Sequence, residues 1–109
     1  MPERDLRLGD VVCSLAGRDR GQYYVVVGII DDRFVQVADG YRRKVASPKK
    51  KNVRHLRPLG VAMEELARRL AGGGSVSDGE IRAFLRRLRE EAGEPEGKGG
   101  RPVAGEVEA

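Results

Sequence analysis

At 109 residues, with 35% charged and 5% aromatic side chains and no Trp, the chain fits one small domain with accessory segments and excludes two full domains. The formal net charge of +4 favours an anionic partner, and the single cysteine, Cys13, excludes an intrachain disulfide. No apolar run approaches the length of a membrane span, and the charged start of the sequence lacks the apolar core of a signal peptide, so we expect a soluble, cytoplasmic protein.

The first forty residues predict three short strands. The segment LGDVVCSLAG, residues 8–17, has the mixed apolar content of a strand. QYYVVVGII, residues 22–30, is the strongest strand signal in the chain, because β-branched and aromatic residues favour extended structure. A short hydrophilic segment then leads into a third strand, FVQVA, residues 34–38.

The charged turn between the first two strands is open to two interpretations. As a plain hairpin turn it needs only Gly21 in a left-handed conformation, with Asp19 offsetting the two arginines. Alternatively, Arg18 and Arg20 face an anionic partner, and Gly21 lets the backbone approach that partner closely. Gly21 is therefore the residue that we expect to tolerate a side chain least.

The next twenty residues predict a hairpin and a final strand. Asp39-Gly40 is a strong signal for a type I′ turn, because both central positions of that turn need positive φ. This turn would join the third strand to a fourth over residues 41–45, followed by a lysine-rich loop and a last strand over residues 52–59. Four or five short strands with no helix between them predict a small curled antiparallel β-barrel over residues 5–59.

The chain becomes helical after the barrel. VAMEELARRLA, residues 61–71, has apolar residues at helical spacing and is stopped by three glycines. Ser77 and Glu80 form an S-x-x-E capping box at the start of a second, amphipathic helix. We therefore predict a helical hairpin over residues 60–92, whose apolar stripe packs within the chain or, as the alternative, binds a partner protein.

Residues 93–109 are rich in Gly, Glu and Pro and predict a disordered tail. The predicted fold class is therefore mainly β with an α extension: a small antiparallel barrel, a two-helix hairpin and the tail.

The excess positive charge is concentrated in residues 40–59, which carry eight Lys and Arg residues and no acidic residue. Such a concentration is typical of a surface that binds phosphates, since Arg can grip a phosphate with two hydrogen bonds and Lys acts as a mobile point charge. The alternative is a solvated strand edge, on which lysines discourage aggregation.

No grouping of residues predicts catalysis, a metal or a cofactor. His55 is the only histidine, and we expect it to be packed or hydrogen-bonded, with a nucleic-acid contact as the alternative. Cys13 is expected to be a small buried apolar residue. The glycines at 72–74 lack the strand, Lys and Ser/Thr of a phosphate-binding loop, so we expect a protein without enzymatic activity.

The tyrosines are candidates for stacking on unpaired bases. Alternation along a strand places Tyr23 and Tyr24 on opposite faces, so at most one of them lies on a given surface. We expect one of this pair to pack in the core and the other to be partly exposed.

Two segments resemble known ribosomal and RNA-binding sequences. RLGDVVCSLAGRDRGQYYVVVGII resembles a KOW motif, with Gly21 at that family's fixed glycine and Gly17, Arg18 and Arg20 in the preceding loop. GYRRKV and KKKNVRHLRP are similar to the end of the barrel in archaeal and eukaryotic large-subunit ribosomal proteins of the fourteen-e type. That second match falls on Asn52, Val53, Arg54, His55 and Leu56, and the two together cover residues 6–58.

The resemblance implies an SH3-like barrel whose loop faces RNA, and it implies ribosomal RNA or ribosomal particles as the partner. The helical part carries no motif of the ribosomal family, which favours a bacterial ribosomal-protein-like chain with its own helical extension. The alternative is a protein-interaction adaptor in transcription elongation or ribosome assembly. The candidate RNA-binding residues are Arg18, Arg20, Gly21, Arg42, Arg43, Lys44, Lys49, Lys50, Lys51, Arg54 and His55.

Overall fold

The computed structural model describes residues 6–91, so the tail predicted for residues 93–109 lies outside the described part. Within it, five strands form one antiparallel sheet, and two helices follow them. The strands are β1 Asp10–Ser14, β2 Tyr23–Ile29, β3 Phe34–Ala38, β4 Lys49–Asn52 and β5 Leu56–Ala62, in the spatial order β4-β3-β2-β1-β5. The helices are α1 Glu64–Ala71 and α2 Asp78–Glu91, and a 3₁₀ turn, Val53–His55, links β4 to β5. The predicted class, mainly β with a helical extension, is confirmed.

The strand predicted for residues 41–45 is wrong. Residues 39–48 form a loop, and the lysines predicted to lie in a loop form strand β4 instead. The cause is Asp39, whose Oδ1 accepts hydrogen bonds from the backbone N–H groups of Tyr41 and Arg43, at 2.9 and 3.0 Å. These bonds curl the chain away from β3 and replace the two-residue turn expected at Asp39-Gly40.

The loop is also held against α2, which explains why it does not pair as a strand. The Val45 N–H donates to the Asp78 carboxylate at 2.8 Å, and Arg82 Nη1 donates to the Gly40 carbonyl at 2.8 Å. Gly40 has a φ of +81°, and a Cβ added there would collide with the Asp78 carbonyl oxygen. The first turn of α2 therefore fixes the conformation of this loop.

Both faces of the sheet are buried. On one face Val12, Tyr24 and Val26 pack with residues of β3 and the β4–β5 link, and on the other Val11 and Tyr23 pack against the helices. Burial on both faces accounts for the unbroken apolar run of β2. Tyr23 and Tyr24 do lie on opposite faces, but both are buried, so the partial exposure expected of one of them is wrong. Cys13 is buried, as predicted.

Helices α1 and α2 cover the second face of the sheet. The capping box predicted at the start of α2 is present, with Glu80 N–H donating to Ser77 Oγ at 3.1 Å and Ser77 N–H donating to Glu80 Oε1 at 2.9 Å. Leu66 of α1 and Ile81 and Leu85 of α2 are buried in the core cluster with the sheet. These buried residues of the apolar stripe thus pack within the chain.

Strand β5 continues to Ala62, three residues beyond the predicted end of the barrel at residue 59. Met63 follows it, with its N–H donating to the Gly9 carbonyl at 2.7 Å, and α1 begins at Glu64. Among residues 6–91, neither helix combines the length and apolar content needed to cross a bilayer.

Candidate nucleic-acid interface

The centre of the charged turn is Asp19, which points inward and has four side-chain hydrogen-bond donors around it. Its Oδ1 accepts from Ser14 Oγ at 2.9 Å and from Lys51 Nζ at 3.2 Å. Its Oδ2 accepts from Tyr24 Oη at 2.7 Å and from Lys49 Nζ at 3.2 Å. Only 12% of the Asp19 side chain is exposed. The carboxylate therefore ties the turn to β1, β2 and β4 at once.

This arrangement fixes the protonation states of its members. Burial alone would raise the pKa of Asp19, but the hydrogen bonds from Tyr24, Ser14 and the two lysines outweigh burial and hold that pKa well below its ordinary range. Burial, the hydrogen bond to Asp19 and the charge of that carboxylate raise the pKa of the Tyr24 phenol well above its ordinary range. Near neutral pH, Asp19 is thus an anion and Tyr24 a neutral donor.

Gly21 ends the turn and is needed for its backbone conformation. Its φ is +88°, and its N–H donates to the Ser14 carbonyl at 2.8 Å. A Cβ built on Gly21 would meet no atom within 4 Å. The constraint at Gly21 is therefore the left-handed backbone conformation, with open space where a side chain would lie.

A cleft of about 520 Å³ lies between the charged turn, the 39–48 loop and helix α2. Three tyrosines line it: Tyr41, whose exposed fraction is 58%, and the buried Tyr23 and Tyr24. The Arg82 guanidinium carbon lies 5.4 Å from the centroid of the Tyr41 ring, and that of Arg89 lies 4.8 Å from the Tyr23 centroid. Five arginines line the cleft: Arg18, Arg42, Arg82, Arg86 and Arg89.

The two carboxylates beside the cleft are already engaged. Asp19 is bound by the lysines of β4. Asp39 is 2% exposed, and it accepts from Gln22 Nε2 at 3.1 Å in addition to the two backbone N–H groups of the loop. Within residues 6–91, none of the five cleft arginines forms an ion pair with a carboxylate. The cleft thus presents a concentrated positive potential to solvent.

Comparison with curated proteins identifies a relative of known class. The large ribosomal subunit protein eL14 of Staphylothermus marinus is 30% identical to this chain over 77 aligned positions, which take in 63% of this chain and 80% of the relative. The chain belongs to the eL14 family. No family model matches it.

In this eL14-family chain, the structure brings two of the predicted site regions together. Arg18 of the turn and Arg42 of the loop line the same cleft, and Lys49 and Lys51 reach the turn through Asp19. Lys51 is only 8% exposed, and besides binding Asp19 its ammonium group donates to Ser14 Oγ at 3.0 Å. It therefore bonds within the protein and is not presented to solvent. Three predicted residues of the turn and the loop are exposed but do not line the cleft: Arg20, Arg43 and Lys44.

The remaining predicted residues lie elsewhere on the surface. Lys50 points to the opposite face of β4 from Lys51, with its Nζ 4.4 Å from the centroid of the Phe34 ring. Arg54 and His55 are exposed in the 3₁₀ turn and do not line the cleft. We expected a packed or hydrogen-bonded His55, and its exposure contradicts the packed form of that expectation.

The NVRHL motif, one of the two segments that carry the resemblance to the ribosomal family, has a structural explanation in this eL14-family chain. The Asn52 Oδ1 accepts from the Arg54 N–H at 2.9 Å and so caps the 3₁₀ turn. Val53 and Leu56 are buried in the core, and the His55 carbonyl accepts from the Leu15 N–H at 2.8 Å. The motif thus carries the chain from β4 to β5 across the sheet.

Three cleft arginines were not among the predicted site residues. Arg82, Arg86 and Arg89 follow the i, i+4, i+7 spacing that places side chains on one face of a helix. This spacing can be seen in the sequence. The sequence does not show that the 39–48 loop lies opposite this face of α2, because residues 41–45 were predicted to form a strand of the sheet.

Proposed function

We propose that this chain is a non-enzymatic RNA-binding protein, which associates with ribosomal RNA of the large subunit or its assembly intermediates in the cytoplasm. Membership of the eL14 family supports the ribosomal partner. The observation that carries the proposal is the group of five arginines, three exposed and two half-buried, where the charged turn, the 39–48 loop and α2 meet, none of them paired with a carboxylate of residues 6–91. We call this part of the surface the arginine end. It comprises the five cleft arginines and the exposed Arg20, Arg43 and Lys44 of the turn and loop.

Arginine suits this function for a physical reason. Its planar guanidinium can form two parallel hydrogen bonds to one phosphate, and it loses less hydration energy than an ammonium group does. Most contacts of this kind go to the RNA backbone, so recognition depends mainly on RNA shape. The arginine end contains Arg18, Arg20, Arg42, Arg43 and Lys44, together with the cleft arginines of α2.

The basic residues of β4 and the 3₁₀ turn divide into two groups. Lys50, Arg54 and His55 are exposed and are proposed as additional phosphate contacts. Lys49 and Lys51 bind Asp19, and we propose that they act mainly by holding the turn that presents Arg18 and Arg20. Gly21 contributes through the turn's backbone conformation.

The adaptor alternative needs either the helical hairpin or an exposed edge of the barrel to bind a protein, and the hairpin route needs a free apolar stripe. Leu66, Ile81 and Leu85 of that stripe are covered by the sheet. This packing favours RNA binding through the arginine end over protein binding through the helical hairpin.

The proposal is tested by reversing charge at the arginine end without touching Asp19. We expect the double variant Arg42→Glu, Arg43→Glu to bind large-subunit ribosomal RNA at least tenfold more weakly. Its plot of log K against log salt concentration should also be less steep, because that slope scales with the number of phosphates that the protein contacts. The matched control is Arg68→Glu with Arg87→Glu, which changes net charge equally on exposed helix positions away from the cleft. Equal losses in both double variants, or no loss in either, would contradict the proposal.

A further inference from the structure

The cleft has a composition that general phosphate binding does not require. A flat array of cations is enough to hold an RNA backbone, but here five arginines surround a concave space with aromatic rings in its wall. Its volume of about 520 Å³ lies in the range of sites that enclose small organic molecules. The cleft is therefore suited to a ligand that has both an anionic group and a flat apolar surface.

The tyrosines and arginines are arranged for stacking. Tyr41 is more than half exposed, and Arg82 lies over its ring while donating to the Gly40 carbonyl, which fixes the guanidinium in place. Aromatic rings and guanidinium planes are the surfaces on which proteins stack unpaired RNA bases. Tyr41 and Arg82 thus form a stacking surface in the wall of the cleft, and the hydrogen bond from Arg82 to Gly40 fixes its position.

The other arginines supply the anion-binding part. Arg18, Arg42 and Arg86 are exposed, line the same cleft, and have no ion-pair partner among residues 6–91. The nearby carboxylates bind other groups: Asp19 accepts from Lys49 and Lys51, and the buried Asp39 accepts from Gln22 Nε2 and from backbone N–H groups of its loop. A phosphate entering the cleft would meet three cations that form no ion pair with any carboxylate of residues 6–91.

From this combination we propose that the cleft binds one unpaired nucleotide of the RNA. Its base stacks on Tyr41 and Arg82, and its phosphate is held by Arg18, Arg42 and Arg86. The inference rests on the proposed RNA-binding function and deepens it, since it makes the arginine end selective for RNA with a looped-out or single-stranded nucleotide. An acidic peptide would satisfy the arginines but would leave the stacking surface unused.

The test measures fluorescence anisotropy of the full chain with two labelled RNAs of equal phosphate number, a single-stranded oligouridylate and a blunt duplex. Tyr41→Ala removes the stacking surface at an exposed position, so the fold should persist, and a circular dichroism melt checks this. We expect Tyr41→Ala to weaken single-strand binding roughly 5- to 140-fold, the range for loss of one base stack, and duplex binding less than twofold. Arg86→Gln should weaken single-strand binding more than its matched control Arg87→Gln, which lies on the same helix outside the cleft.

The outcomes separate this inference from the proposed function. If the wild type binds neither RNA, both fail. If it binds both RNAs with a steep salt dependence, but Tyr41→Ala leaves single-strand affinity unchanged or reduces both affinities equally, RNA binding stands and the nucleotide site is refuted. If a decaglutamate peptide displaces the single strand at equal concentration, the cleft is a general anion site and the nucleotide assignment is also refuted.

Discussion

Replacing Asp19 by Ala tests whether one inward carboxylate holds the charged turn in place. The substitution removes the acceptor shared by Ser14, Tyr24, Lys49 and Lys51. Lys51, at 8% exposure, would keep only Ser14 Oγ and the Ala16 carbonyl as partners. Removing one partner of a buried ion pair leaves an uncompensated charge and typically costs about 3–5 kcal/mol.

We expect Asp19→Ala to lower the free energy of unfolding by about 3 kcal/mol, at the lower end of that range because Lys49 is partly exposed and regains water. For a small domain this is a large share of the total, typically about 5–15 kcal/mol. Asp19→Asn keeps an acceptor oxygen but removes the charge, so we expect a loss of about 1–3 kcal/mol.

The assay is urea unfolding at neutral pH followed by far-ultraviolet circular dichroism, since the chain has no Trp. Asp32→Ala is the matched control, because Asp32 is exposed in the opposite turn and should change stability by less than about 0.5 kcal/mol. If Asp19→Ala unfolds at the same urea concentration and with the same slope as Asp32→Ala, the carboxylate does not hold the turn and the reasoning is refuted.

The pH dependence gives an independent readout of the same carboxylate. The pKa of Asp19 is lower in the folded chain than in the unfolded chain, so its stabilising contribution is present above the ordinary Asp value of about 3.9 and is lost as the pH falls further. Wild-type stability should therefore fall more steeply below about pH 4 than that of Asp19→Asn. Parallel acid profiles for the two proteins would contradict the lowered pKa.

Three further predictions concern single positions. Lys51→Met should destabilise the chain by about 2 kcal/mol, whereas Lys50→Met, at the adjacent exposed position, should change stability by less than about 0.5 kcal/mol; equal urea midpoints would contradict this. Gly40→Ala combines a positive φ with a collision on α2 and should cost about 3 kcal/mol, against about 1 kcal/mol for Gly21→Ala, where only φ is unfavourable; the reverse order in thermal melts would refute the loop docking. Because the pKa of Tyr24 is raised in the folded chain, its contribution is complete below about pH 10 and is lost above it, so wild-type stability should fall in alkali more than that of Tyr24→Phe.

The sequence predicted the elements whose signals are local. The capping box of Ser77 and Glu80, the apolar run of β2 and the apolar strand around Cys13 can each be recognised from residues close together in the sequence, and the structure confirms the box, the strand and the burial of Cys13. The resemblance to the fourteen-e ribosomal family is likewise confirmed by the aligned relative. Its markers, Asn52 to Leu56, are side chains that shape one link between strands.

The error over residues 41–45 arose because the Asp39 side chain and a distant helix together override a local turn preference. Asp39-Gly40 favours a hairpin turn, but the Asp39 carboxylate binds its own loop, and Asp78 and Arg82 hold that loop on α2, about forty residues later in the chain. The same contacts explain why Gly40 is more constrained than Gly21, contrary to the expectation from the motif. The cleft could not be predicted because it exists only once this loop is docked.

The structure also resolves why an aspartate lies between two arginines in the turn. Asp19 faces inward, where Lys49 and Lys51 balance its charge, and therefore it does not neutralise Arg18 and Arg20 on the outside. The turn thus has two separate sets of charges: a largely buried set that holds the fold, which salt screens weakly, and the exposed set proposed to bind RNA, which salt screens strongly. If the proposed RNA binding holds, rising ionic strength should weaken it while the turn that presents Arg18 and Arg20 stays in place.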